Sequence, residues 1–339
     1  MSEKNKVLLD THFRRIEEIF SPEDRERLYG LADIVWGKNE PIPIEEYKKT
    51  QSDIFAIISG EWRYGNINKC ENLRVIMDVA GRHPGPKELD YSACFARNIR
   101  VLTCSPAFGP MVAEMALGMA LAASREISAG DRLFHAGKES YLCHGNKNTF
   151  TLFKQKVGFI GFGALARNLQ KLLVPFRCSI QVYDPWLPKT YLQDQDLIPI
   201  DLNTLLSTSK VIFVLAIPTK QNRHLLSREK LLLIPSDSVL VLISRAHLVD
   251  FESLTEFVLE DRFKVAVDVF PEEPMPKDHP IRRAEKAVLS AHRAGSVSDD
   301  LKLIGKMATN DLEAILGGLP PRELLEAEPE YINQLTLKW

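Results

Sequence analysis

The chain has 339 residues, 45% of them apolar and 26% charged, with a formal net charge of −2. That length holds two domains, each with its own core, and the balanced charge offers no basic surface to nucleic acid or an anionic membrane. The opening MSEKNKVLLDTHF carries only a four-residue apolar run before charge returns, which argues against a signal peptide and for a cytoplasmic protein.

In chain order, short apolar runs alternate with helical or polar segments over residues 6–105. Strands are expected at Lys6–Leu9, Ile34–Trp36, Ile54–Ser59, Leu73–Val79 and Arg100–Cys104, with helices such as Pro22–Leu31 and Tyr91–Ala96 between them. This alternation predicts a parallel sheet covered on both faces. After the fourth strand comes Ala80-Gly81-Arg82-His83-Pro84-Gly85-Pro86, at a strand end where open parallel sheets collect ligands. Its composition alone would make it a surface turn. Pro106 to Pro110 interrupts the pattern and marks a domain crossing. The apolar helix Met111–Ser124 carries Glu114 and is expected in a core or subunit interface, being too short to cross a bilayer. Tyr141–Phe150 is polar, irregular and expected at the surface. Five cysteines without a C-x-x-C pair suit a reducing compartment and speak against a zinc site or disulfide framework.

The next stretch, KVGFIGFGALARNLQKLLVPFRCSIQVYD over Lys156–Asp184, organises the rest of the chain. A buried-strand run, Lys156–Phe162, breaks into Gly161-Phe162-Gly163-Ala164-Leu165-Ala166, and a helical stripe follows at Leu165, Leu169, Leu172 and Leu173. A second strand, Ser179–Tyr183, ends on Asp184, 23 residues after Gly161. Gly161 suits a tight turn and Gly163 a close approach of backbone to a pyrophosphate. Ala166 lets helix and strand pack, and the helix N-terminus offers free N–H groups. Asp184 can accept both ribose hydroxyls of an adenosine. The pattern in this context predicts a dinucleotide site. Asp184 would also repel a 2′-phosphate, since like charges ~4 Å apart interact by about 4 kcal/mol at an effective dielectric of 20. NAD(H) is therefore expected over NADP(H).

Further strands are expected at Val211–Ala216, Ser238–Ser244, Lys264–Phe270 and Ala287–Ala291, followed from Asp299 by an amphipathic helix with Leu301, Ile304, Ala308, Leu312 and Ile315 on one face. The tail from Pro320 to Trp339 is expected to be ordered against a domain. Three polar residues stand where apolar strands end: Arg245, Glu273 and His292. Strand ends of such a sheet face the cofactor crevice. A histidine can exchange a proton near neutral pH, a carboxylate can orient it, and a guanidinium fork can hold an acidic substrate. Singly, each is as well explained by a surface arginine, a loop glutamate and a histidine bonded to backbone; together they lean toward function. The remaining histidines show no ligand spacing, so no metal is expected.

Four segments resemble the D-isomer-specific 2-hydroxyacid dehydrogenase family: Val157–Ala166 with Asp184; Ser244-Arg245-Ala246-His247-Leu248-Val249-Asp250; Val267-Asp268-Val269-Phe270-Pro271-Glu272-Glu273-Pro274; and Ser290-Ala291-His292-Arg293-Ala294-Gly295. Val112-Ala113-Glu114 matches too. The resemblance implies two Rossmann-like α/β parallel-sheet domains. An NAD-binding domain (108–295) is inserted into a flavodoxin-like substrate domain (1–107 and 296–339), commonly in a homodimer. It implies interconversion of a small 2-oxo acid and a D-2-hydroxy acid, with His292 as general acid/base, Glu273 supporting it and Arg245 binding the substrate carboxylate and carbonyl. NAD would be contacted by Gly161, Gly163, Ala164, Leu165, Asp184, Pro218, Asp268 and Gly295. Backbone N–H groups of the loop around Ala80, Gly81 and Arg82 would meet the substrate carboxylate. The sequence departs from the family pattern at Ala246 (usually Gly) and Ala291 (usually Pro). The larger departure is the loop Arg82–Pro86, where Arg82 or His83 could either contact a second acidic group or point to water. An NAD(H)-responsive corepressor, or an enzyme for phosphite or a phosphorylated sugar acid, remains the alternative reading.

Overall fold

A computed structural model describes residues 4–334 of the chain. The chain divides into two units, Met1–Phe108 with Ser296–Trp339 (unit 1) and the continuous Gly109–Gly295 (unit 2). The first crossing thus falls one residue beyond its expected position. The strands formed among the described residues are β1 (Lys6–Asp10), β2 (Asp33–Trp36), β3 (Ile54–Ser59), β4 (Val75–Asp78), β5 (Arg100–Thr103), β6 (Lys156–Ile160), β7 (Ser179–Tyr183), β8 (Ile198–Pro199), β9 (Val211–Val214), β10 (Val239–Leu242), β11 (Lys264–Val267), β12 (Val288–Leu289) and β13 (Leu325–Glu326).

Unit 1 is a six-stranded sheet in the order β13-β5-β4-β3-β1-β2. All pairs are parallel except β13 on β5. Its central strands bury both faces, which is why they read as continuous apolar runs rather than as alternation. Leu8, Ile57, Ile76 and Val101 pack with Tyr47, Tyr64 and Tyr91 in one cluster. Helix Pro22–Leu31 starts on the Ser21 hydroxyl, which accepts from Asp24 N–H at 3.0 Å, with Pro22 in the first turn. The chain leaves β1 for β2 at one edge, then returns to β3 on the other side of β1. The order therefore reverses between β1 and β3. The tail is tied down by Asp311, a buried residue of helix Lys302–Leu316 whose carboxylate accepts the N–H groups of Arg322, Glu323 and Leu324. This delivers β13 to the edge of β5 and buries Ile332. Trp339, counted in the expectation for the tail, lies outside the described residues.

Unit 2 is an all-parallel seven-stranded sheet in the order β12-β11-β10-β9-β6-β7-β8, with its reversal between β6 and β9. The helical stretch Ser105–Ser124 is long and apolar enough to span a membrane, contrary to the shorter helix expected. Its Ala113, Ala116, Met119, Ala120 and Ala123 nevertheless sit in the core of unit 2. In helix Ala164–Leu173, Ala166, Leu169 and Leu173 form the buried face. Leu172, expected on that stripe, is exposed, because one residue short of Leu173 it lies about 100° around the helix. Helix Ile127–His135 has no counterpart in the sequence reading.

Candidate active site

The strand–turn–helix of unit 2 forms a cradle for a phosphate. Gly161 has φ +92°, and a Cβ there would stand 2.6 Å from the backbone of Ala216, so only glycine fits. Gly163 differs: a Cβ there would meet nothing within 4 Å. It opens helix Ala164–Leu173 without any side-chain cap on the first-turn N–H groups, the arrangement that receives a pyrophosphate. Gly163 and Ala164 are exposed, and Leu165 is half-buried. Asp184, past β7, accepts Phe162 N–H at 2.8 Å and Trp186 N–H at 2.9 Å, which fixes its carboxylate beside the turn. Pro218 is buried in a turn held by Asn222, whose side chain accepts from Thr219 N–H and donates to the Ile217 carbonyl. These residues fit NAD.

Arg245, Glu273 and His292 follow β10, β11 and β12, three neighbours in one parallel sheet, so their segments leave the same edge side by side. Glu273 Oε2 lies 2.5 Å from His292 Nδ1, while its Oε1 accepts Phe270 N–H at 2.9 Å. One carboxylate thus links the end of β11 to the imidazole. His292 has φ +49°; its N–H donates to the Asp268 carbonyl at 2.7 Å. The buried Asp268 side chain accepts the N–H groups of Arg293 and Ala294. Asp268, expected from the resemblance as a cofactor contact, is buried and clamps the His292 loop, and Gly295 follows directly. The Arg245 guanidinium is held below its usual pKa, mainly by desolvation, with Glu273 acting in the opposite direction. The two charges therefore feel one another. Arg245 Nη1 donates to the Ser244 carbonyl at 2.7 Å. His247 and His279 both bond backbone, through the Thr219 carbonyl and the Ile281 N–H.

In unit 1 the loop after β4 closes on its own strand. The N–H groups of Ala80, Gly81 and Arg82 all donate to Asp78 Oδ1 at 2.9–3.1 Å, as does the Thr103 hydroxyl at 3.1 Å. Burial pushes the Asp78 carboxyl up to about 7 despite these donors. Gly81, at φ +93°, stands against the Phe108 ring, which a Cβ would meet at 2.5 Å. Arg82 reaches Glu88 at 3.3 Å. His83, 3% exposed, bonds the Leu325 carbonyl at 3.0 Å and meets the Tyr331 ring edge-on; burial holds it down to about 4. It neither points to water nor offers a charge. The sequence reading missed two residues here. Asp78 was visible as an acid closing an apolar run. Arg14, which follows β1 and lies over the Phe13 and Phe108 rings at 5.1 and 5.6 Å, gave no local signal.

Residues 117–294, just over half of the chain, match the family model described as D-isomer specific 2-hydroxyacid dehydrogenase, NAD binding domain. The chain is 27% identical over 293 residues to a D-3-phosphoglycerate dehydrogenase of Methanocaldococcus jannaschii, covering 85% of this chain but only 54% of that longer protein. It is 28% identical over 281 residues to a glyoxylate reductase of Thermofilum pendens, covering 80% of this chain and 78% of the relative. The crystal structure of a phosphoglycerate oxidoreductase from Rhizobium etli superposes with a TM-score of 0.86 at 31% identity, over 96% of this chain and 99% of the other. The chain belongs to the D-isomer specific 2-hydroxyacid dehydrogenase family and is an NAD-dependent oxidoreductase of 2-oxo and 2-hydroxy acids.

Proposed function

We propose that the protein reduces a 2-oxo acid to the D-2-hydroxy acid, and runs the reverse reaction with the same groups. Bound NAD(H) supplies or accepts the hydride. His292 holds the transferable proton at Nε2, since Nδ1 is engaged by Glu273, and delivers it to the substrate oxygen. Glu273 is a positioning residue: anchored by Phe270 N–H, it fixes the tautomer and balances the imidazolium. Arg245 binds the substrate carboxylate and polarises the carbonyl through its planar fork. The N–H groups of Ala80, Gly81 and Arg82, expected from the resemblance at the substrate carboxylate, are instead taken up by Asp78.

The observation that carries this reading is the 2.5 Å contact of Glu273 with His292, at the ends of neighbouring strands and with Arg245 in electrostatic range. The test is NADH oxidation with glyoxylate, pyruvate, hydroxypyruvate and larger or phosphorylated 2-oxo acids. At least one should be reduced. His292→Asn should then lower kcat by about 10²–10⁴-fold with NADH binding retained, and Arg245→Ala should lower kcat/KM. Full turnover by His292→Asn would remove the acid/base assignment.

The protein is further proposed to act as a cytoplasmic homodimer. The support is the exposed apolar side chains of unit 2, Ile127, Leu133, Phe134, Tyr141 and Leu142, of the kind that mark an interaction surface, together with five free cysteines.

A further inference from the structure

Unit 1 has its own topological switch point, between β1 and β3. In open α/β sheets the crevice outside the strand ends at such a reversal is where ligands lodge. The segments leaving β1 and β3 there are Thr11–Arg15 and Gly60–Arg63. They touch each other: a Cβ on Gly60 would stand 2.6 Å from the Thr11 carbonyl and 3.3 Å from the Phe13 ring. Beneath them the polar groups are satisfied. Tyr64 donates to Asp10 at 2.7 Å, Ser59 bonds Tyr64 at 2.9 Å, and His12 lies 3.5 Å from Asp10. Two groups are exceptions, the Trp62 indole N–H and Arg14 Nε–H, and of these only Arg14 carries a charge.

Five arginines of unit 1 are half-buried: Arg14, Arg27, Arg82, Arg97 and Arg100. Four of them have partners. Arg27 pairs with Asp24 and Glu313, Arg82 with Glu88 and Arg100 with Glu326, while Arg97 donates to the carbonyls of Ile67, Cys70 and Glu71. Arg14 pairs with no carboxylate among the described residues, and its Nε–H is shut off from water without an acceptor. That one N–H loses hydration without compensation, while the half-buried side chain keeps its charge without a carboxylate beside it. What holds Arg14 in place is aromatic: its guanidinium carbon lies 5.6 Å from the Phe108 ring, the ring that abuts Gly81. The Phe108 ring is therefore shared by Arg14, which follows β1, and by Gly81, which follows β4.

We propose that Arg14 is the specificity residue for a substrate carrying a second anionic group, phosphate or carboxylate, beyond its 2-oxo acid end. This rests on the 2-oxo acid reading above. The loop itself supplies no such cation, since His83 is buried on Leu325 and Arg82 is occupied by Glu88.

The experiment compares kcat/KM for hydroxypyruvate with its 3-phosphate, and for 2-oxopentanoate with 2-oxoglutarate, in the wild type, Arg14→Gln and Arg14→Lys. The wild type should favour the dianion of at least one pair by roughly 10- to 100-fold, the range of a charge-assisted contact, and the favoured pair tells phosphate from carboxylate. Arg14→Gln should bring that ratio near one, mainly through KM for the dianion, and Arg14→Lys should restore part of it. NADH binding, measured alongside, shows that the variants are folded. A wild type that reduces 2-oxo acids without preferring either dianion, or a preference that survives Arg14→Gln, overturns the assignment and leaves the 2-oxo acid reading intact. Absence of turnover on all four compounds overturns both.

Discussion

Two turns of this molecule present backbone N–H groups at the end of a parallel strand, and they treat them in opposite ways. In unit 2, Gly163 starts helix Ala164–Leu173 with no side chain over the first-turn donors. In unit 1, the donors of Ala80, Gly81 and Arg82 are gathered by Asp78 from the same chain. Both are anion receptors in geometry. The first is left open for a cofactor, and the second is filled by an internal carboxylate that sets the loop's shape. Residue type alone would not have separated them, since both are small-residue turns with a glycine at positive φ.

The sharpest way to break this comparison is at the glycines. Gly161→Ala sets a Cβ against the Ala216 backbone at φ +92° and should destabilise unit 2 on the order of 4 kcal/mol, read as a fall in Tm that NADH does not fully reverse. Gly163→Leu meets open space and should keep the fold while weakening NADH binding by about tenfold or more. Equal stability losses at both positions would mean that Gly163 is structural too.

The next effect belongs to His83. Its pKa falls from 6.5 when unfolded to about 4 when buried, so the folded protein binds fewer protons between those values. Its contribution is fully present above pH 6.5 and is lost as pH falls toward 4, about 3 kcal/mol at most. His83→Gln should flatten that part of the stability profile in denaturant titrations. A wild-type profile identical to the variant's would place the histidine in contact with water.

Asp78→Asn keeps an oxygen for the loop donors but removes the charge, so its effect is read in the slope of stability against pH. The Asp78 shift has the opposite sign. With its pKa raised to about 7, its contribution is present at acid pH and lost as pH rises from about 4 through 7. The variant should therefore steepen the His83 trend. If it leaves the profile unchanged, the carboxyl is not buried as described.

Much of this was legible in the sequence because it is local. The runs Ile54–Ser59 and Ser179–Tyr183 coincide with β3 and β7, and Arg245, Glu273 and His292 announced themselves by closing apolar runs. Expected strands overran by a few residues where the apolar run continues past the last ladder bond, as at Val269 and Phe270 after β11. What stayed hidden depends on pairing over long separations. β13 exists only because Leu325 meets Thr103, and two residues carry no strand signal. Helix Ile127–His135 leaves its apolar side chains outside and begins on a left-handed Glu126 without a side-chain cap. Arg14 becomes conspicuous only once the strand order puts the reversal of unit 1 beside it.

The division of the chain has a consequence for how it folds. Unit 2 is one continuous segment, whereas unit 1 needs residues on both sides of it, and its sheet edge is completed by β13 on β5. During vectorial synthesis the dinucleotide unit can therefore close first. Residues 4–108 wait meanwhile with β5 unpaired on its outer side, an edge open to other chains until residues 296–334 emerge. The interval is set by the length of the insertion, residues 109–295.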